Sequence, residues 1–88
     1  MKYNQCQNDI IQYIIDYSEN PIGKLTPNVD VFEHTFHEKY TILEIEESTR
    51  ELISNGILKT YSFHSYLDFT EKFKTSSDYK LFKDKKKI

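Results

Sequence analysis

Residues 41–59, TILEIEESTRELISNGILK, constrain the fold more than any other stretch, because they describe an amphipathic helix stopped by a glycine and leading directly into a strand. Ile45, Ser48, Thr49 and Leu52 share one helical face, with Gly56 just past its end. Thr41 and Glu44 form a Thr-x-x-Glu capping box, the best local start signal in the chain. The pattern places Ile42, Ile45, Thr49, Leu52 and Ile53 inward, and Asn55 with Gly56 supplies a left-handed termination. Ile57 and Leu58 then open a sheet.

Two further helices precede this one. Asn4 and Gln7 loosely resemble a capping box, and Ile10, Ile11, Ile14, Ile15 and Tyr17 repeat at helical spacing, so a helix is expected over residues 4–17. Pro21 ends that region, and Ile22 and Leu25, flanking Gly23 and Lys24, are expected to form a very short strand. Either Thr26 or Asn28 caps a second helix, and Pro27 suits its first turn if Thr26 is the cap. Val29, Phe32, Phe36 and Tyr40 form its inner stripe, while Val31 falls nearly opposite, as an isolated exposed valine or part of a partner surface.

In the C-terminal third, Ile57, Tyr61, Phe63, Leu67, Phe69 and Phe73 are all odd-numbered among mostly polar neighbours, an alternation that favours strand, with strand preferred over residues 57–63. A short helix over residues 66–73 is the competing assignment, since Ser65 with Asp68 resembles a cap and Tyr66, Phe69 and Phe73 also sit at helical spacing. After the turn-forming Thr75, Ser76, Ser77 and Asp78, residues 79–83 read as a returning strand.

Over residues 8–61 the helix-turn-helix followed by glycine and strand resembles winged helix-turn-helix domains. The resemblance implies a small α+β winged helix, with three helices and a C-terminal β-hairpin wing that is long or carries an insertion. The chain is expected to form a single domain, residues 1–88, with 84–88 as a basic tail. Two residue choices depart from the pattern. Thr49 stands where these domains usually place a large aliphatic residue, and the third helix carries four glutamates against Arg50 where phosphates would normally approach.

Charge is distributed unevenly. Residues 1–60 hold five cations against ten acids, and residues 61–88 hold seven lysines against four acids. An anionic partner is therefore expected at the C-terminal third. One cysteine, Cys6, leaves no intramolecular disulfide or multi-thiolate zinc site, which fits a cytoplasmic setting. No apolar run reaches the length of a membrane span, and the N-terminus lacks a signal-peptide pattern.

Catalytic chemistry has little support. His34 and His37, with Glu33 and Glu38 beside them, have a spacing that presents two ligands, but a third is missing unless His64 reaches in. Cys6 sits near a helix start, yet no histidine lies close in sequence to activate it, so a buried or inert thiol is expected. Gly23 and Gly56 are too far apart for a phosphate loop. The expectation is a non-enzyme without metal or cofactor.

The resemblance implies a nucleic-acid-binding protein, a transcriptional regulator touching double-stranded DNA through its wing. Lys72, Lys74, Lys80, Lys83 and Lys85, interleaved with Tyr66, Phe69, Phe73, Tyr79 and Phe82, would carry the contact, with Arg50 on the third helix. Arg50 is the only arginine, so base reading by the forked guanidinium is not available to the wing. The competing function is a protein-interaction module that offers Glu44, Glu47 and Glu51 to a basic protein surface. Monomer and two-fold homodimer are both compatible with the chain.

Overall fold

In the computed structural model, residues 2–61 and 66–86 are described, with only the backbone for Lys85 and Lys86. The first helix, α1 (Gln5–Glu19), starts with a full capping box: Gln7 N donates to Asn4 Oδ1 at 2.7 Å and Asn4 N donates to Gln7 Oε1 at 3.0 Å. Two orphan donors of the first turn are thereby satisfied. Its inner face is aliphatic, with Ile10, Ile11, Ile14 and Ile15 buried.

Between α1 and the next helix the chain turns at residues 21–24. Lys24 N donates to Pro21 O at 3.1 Å and Gly23 has φ +78°, the positive value a type II turn needs at its third position. The expected strand over Ile22 and Leu25 is absent. The turn leaves both side chains exposed, and this connection meets the sheet further on, where Leu67 N donates to Pro27 O at 2.7 Å. Asn28 caps α2 (Val29–Phe36), its Oδ1 accepting from Val31 N at 2.9 Å. Pro27 therefore precedes the helix, buried, rather than opening it.

Helix α3 (Ile42–Ser54) has the expected capping box of Thr41 and Glu44. At its other end Gly56 takes φ +75°, with Gly56 N donating to Ile53 O and Ile57 N to Leu52 O, a Schellman termination. Ile45, Ser48, Thr49 and Leu52 are buried as the spacing requires. Ile42 and Ile53 are not: they are 58% and 39% exposed. At about 100° per residue they lie roughly 70–90° from the centre of the buried row, too far round to enter the core.

Strands β1 (Leu58–Tyr61) and β2 (Tyr66–Phe69) form an antiparallel pair with Leu58 opposite Phe69 and Tyr61 opposite Tyr66. The competing helix over residues 66–73 is thus replaced by a strand and, after it, a one-turn helix α4 (Glu71–Lys74). Phe63, His64 and Ser65 lie outside the described residues.

Residues 79–83, expected as the returning strand of a wing, belong to α5 (Ser77–Lys86). The serines read as a turn begin this helix instead: Ser76 Oγ accepts from Tyr79 N at 3.2 Å, and short polar side chains favour helix starts as readily as turns. Tyr79 and Phe82, three apart, then face inward, and Phe82 is buried. The architecture is therefore α+β with five helices and one two-stranded hairpin among the described residues, not three helices and a long hairpin. Residues 84–86 of the expected basic tail continue α5.

A single hydrophobic cluster runs from Cys6 to Phe82. Helix α3 packs against α1, α2 and β1, and α5 packs against α1 and α4. Phe69, Phe73 and Tyr79 form an aromatic triangle, with ring centroids 5.0–5.6 Å apart, that joins hairpin, α4 and α5. Burial of Phe69, Phe73 and Phe82 contributes on the order of 2–3 kcal/mol each.

Candidate functional site

The capping box and the buried row fix the rotation of α3, which in turn decides what it shows to solvent. Leu43, Glu47, Arg50 and Ser54 lie opposite the core, all exposed. On the α1 side stand Glu44 and Glu51, and on the α2 side Ile42, Glu46 and Ile53.

The α1 side forms a groove of about 220 Å³ lined by Asn4, Gln5, Cys6, Tyr40, Glu44, Glu47, Ser48 and Glu51. Glu44, Glu47 and Glu51 are thus brought together as expected, but two of them have structural work as well. Glu44 Oε1 accepts from Thr41 N at 3.0 Å, and Glu51 Oε2 accepts from Gln7 Nε2 at 3.3 Å. Cys6 lies beneath, its thiol 4.0 Å from Glu44 O. Burial pushes that thiol above its ordinary pKa, which agrees with the inert thiol expected.

The α2 side forms a second groove, of about 420 Å³, lined by Val29, Glu46, Thr49, Arg50, Ile53 and Ser54. Beside it Glu33 of α2 meets Glu46 of α3, and partial desolvation followed by the neighbouring Glu46 carboxylate pushes the Glu33 carboxyl upward. Sequence reasoning missed this pair, because the two residues sit on different helices. The available signal was the acidic outer face of α3 opposite another acidic helix.

The lysines expected on a wing stand on α4 and α5. Lys72 lies at the rim of a cleft of about 260 Å³ with Lys2, Tyr3, Asn55, Ile57, Phe73 and Asp78. Lys74 is 3.9 Å from Glu71, and Lys83 is tied down, 3.6 Å from Glu19 and 5.4 Å from the centroid of the Tyr79 ring. Lys80 is exposed, and the side chain of Lys85 lies outside the described residues. Of the aromatics meant to interleave with them, Phe69, Phe73 and Phe82 are buried in the core and cannot stack on bases. Arg50 is on α3, a different element from these lysines.

The hairpin itself offers a different outer face. Tyr61 and Tyr66 stack across the strands at 5.3 Å and 16°, with the Lys59 ammonium 5.3 Å from the Tyr61 centroid. His34 and His37 are exposed on and just after α2, with ring centroids 6.5 Å apart. Among the described residues no group of three or more His, Cys, Asp and Glu is placed to hold a metal ion, and no helix is long and apolar enough to cross a membrane.

In comparison with known proteins, no family model matches this chain, and neither a curated protein nor a solved structure matches it.

Proposed function

We propose that the protein is a non-catalytic, cytoplasmic interaction module of winged-helix type whose α3 face binds a basic protein surface. The observation that carries this reading is the solvent side of α3, where Glu44, Glu46, Glu47 and Glu51 stand with Arg50 as the only cation and Leu43 exposed between them. A nucleic acid approaching that helix would meet repulsion, whereas a cationic protein surface would meet attraction and apolar contact. The winged-helix assignment rests on the order of elements: two helices, a capped third helix ended by glycine, and a hairpin whose second strand bonds back to the α1–α2 connection.

A second reading, a DNA-binding transcriptional regulator, is favoured by Lys72 and Lys80, which make no ion pair among the described residues. In that reading Lys72, Lys74, Lys80, Lys83 and Lys85 contact the phosphate backbone from α4 and α5, with Arg50 on α3.

Titration of a mixed-sequence labelled duplex and, separately, of a labelled amphipathic Lys/Leu peptide across a salt series tests the two. We expect no duplex binding at low salt, and peptide binding that a Glu44→Gln, Glu47→Gln, Glu51→Gln variant loses; glutamine keeps the acceptor atoms that Thr41 and Gln7 use. Duplex binding that falls steeply with salt would overturn the interaction module. If a Lys72→Gln, Lys74→Gln, Lys80→Gln variant then reduced the salt slope by about 3, the regulator would stand in its place.

A further inference from the structure

The glycine that ends α3 also leaves a cleft open. Gly56 is held at φ +75°, a conformation that favours a residue without a side chain, and apart from its chain neighbours no atom lies within 4 Å of where a Cβ would stand. That bare position lines a cleft of about 260 Å³ between the end of α3, α4 and the N-terminal arm. Its base is apolar, with Ile57 and Phe73 only 7% and 4% exposed and the Tyr3 ring beside them. Its rim is cationic: two lysines stand against one aspartate, Lys2 is neutralised by Asp78 at 2.8 Å, and Lys72 makes no ion pair among the described residues. Asn55, exposed at the rim, adds an amide donor. We infer that this cleft binds a small monocarboxylic acid with an aromatic body, its ring on Ile57, Phe73 and Tyr3 and its carboxylate on Lys72 and Asn55.

Charge and shape together select that class. One net positive charge in the lining matches a monoanion. A phosphate dianion would find no second free cation and no arginine fork here, and would leave the apolar base uncovered. The volume falls just below the roughly 300–1,000 Å³ of pockets that take drug-sized ligands, so the cleft suits one ring rather than two. The base favours an aromatic ring over an aliphatic chain, because Phe73 already packs on Phe69 and Tyr79 at 5.0 and 5.6 Å and a ligand ring would extend that array.

The walls stand before a ligand arrives. The Tyr3 hydroxyl donates to Asp78 Oδ2 at 2.9 Å and the Tyr3 ring packs on Phe82 at 5.7 Å, so one wall is fixed at both ends and little ordering is left for binding to supply. The same bonds from Lys2 and Tyr3 cover the Asp78 carboxylate, which limits its repulsion of an entering anion. None of Glu44, Glu47 and Glu51 takes part, so this site and the α3 contact proposed above stand or fall separately.

Amide NMR spectra of the full chain, titrated at constant ionic strength with benzoate, benzamide, inorganic phosphate or a short peptide ending in phenylalanine, test it. Benzoate should shift the amides of Gly56, Ile57 and Ser76 and saturate with a Kd of about a millimolar, as befits so small a ligand. Benzamide, which has the ring but no charge, should bind about 2- to 5-fold more weakly, the range of an exposed ion pair, and phosphate should leave those amides unmoved. Lys72→Gln should weaken benzoate by the same factor. Asn55→Asp, which brings the lining to neutrality with little change of shape, should lose it, while Lys59→Gln on the hairpin should bind like the parent; the spectra of the free variants show that each is folded. Absence of a saturable shift at these amides, benzamide or phosphate matching benzoate, or benzoate binding undiminished by Asn55→Asp would overturn the site. A peptide end bound about tenfold tighter than benzoate would overturn its assignment to a free acid.

Discussion

Asp9 gathers three donors, Lys39 Nζ at 2.8 Å, Tyr40 hydroxyl at 2.6 Å and Gln5 Nε2 at 3.2 Å, and no local pattern announces the first two. Burial alone would push its pKa up, but these bonds outweigh burial and hold the carboxyl below its usual value. The stability it contributes is present above the ordinary carboxylate range and is lost as pH falls through the lowered folded pKa. Asp9→Asn should therefore cost about 1–2 kcal/mol at pH 7 and flatten the acid limb of the stability profile, measured by urea unfolding at pH 7 and pH 3. Tyr40 was legible as the end of an apolar stripe, whereas its hydroxyl partner was not, since periodicity reports faces and is blind to which polar atoms meet across them. The same blindness hid Glu33 against Glu46. Glu44, Glu47 and Glu51 were legible as a group because one helix carries all three.

Among the elements, α1, α2 and α3 could be read from caps and spacing, since each has a side-chain N-cap and a one-sided apolar row. The hairpin was legible only in its first strand. Beyond Thr70 the chain carries aromatics at both even and odd spacings, so strand and helix patterns overlap, and tertiary packing onto Phe69 decides between them. Thr70 is the residue that makes the change of element. Its hydroxyl accepts from Phe73 N at 3.1 Å, capping α4, and donates to Gly56 O at 2.5 Å, fastening that cap to the end of α3. Thr70→Ala should destabilise by about 1–2 kcal/mol, while Thr70→Ser should recover most of the loss; thermal unfolding of the three chains distinguishes them.

At the scale of the whole molecule, the N-terminal arm is fastened to α5. Lys2 Nζ lies 2.8 Å from Asp78 Oδ2, the Tyr3 hydroxyl donates to the same atom at 2.9 Å, and the Tyr3 ring packs on Phe82 at 5.7 Å. Burial first, then the bond to the Asp78 carboxylate, pushes the Tyr3 hydroxyl up to about 12. A tyrosine raised in this way stabilises the fold fully below its unfolded pKa of about 10 and ceases to do so as pH climbs through the folded value. Stability should therefore drop between about pH 10 and pH 12, and Tyr3→Phe should lose part of that drop while being less stable at neutral pH; unfolding monitored by circular dichroism in alkaline buffers checks both.

The bond from Tyr3 to Asp78 also bears on synthesis. Chains emerge at about 5–20 residues per second, so Phe82 leaves the ribosome roughly 4–16 s after Tyr3. Helix α3 is complete only 28 residues before Phe82, so for about 1–6 s α1 and α3 can pair while the rings that close their lower end are still being made, and before that the isoleucine row of α1 is open to whatever chaperone or neighbouring nascent chain reaches it first.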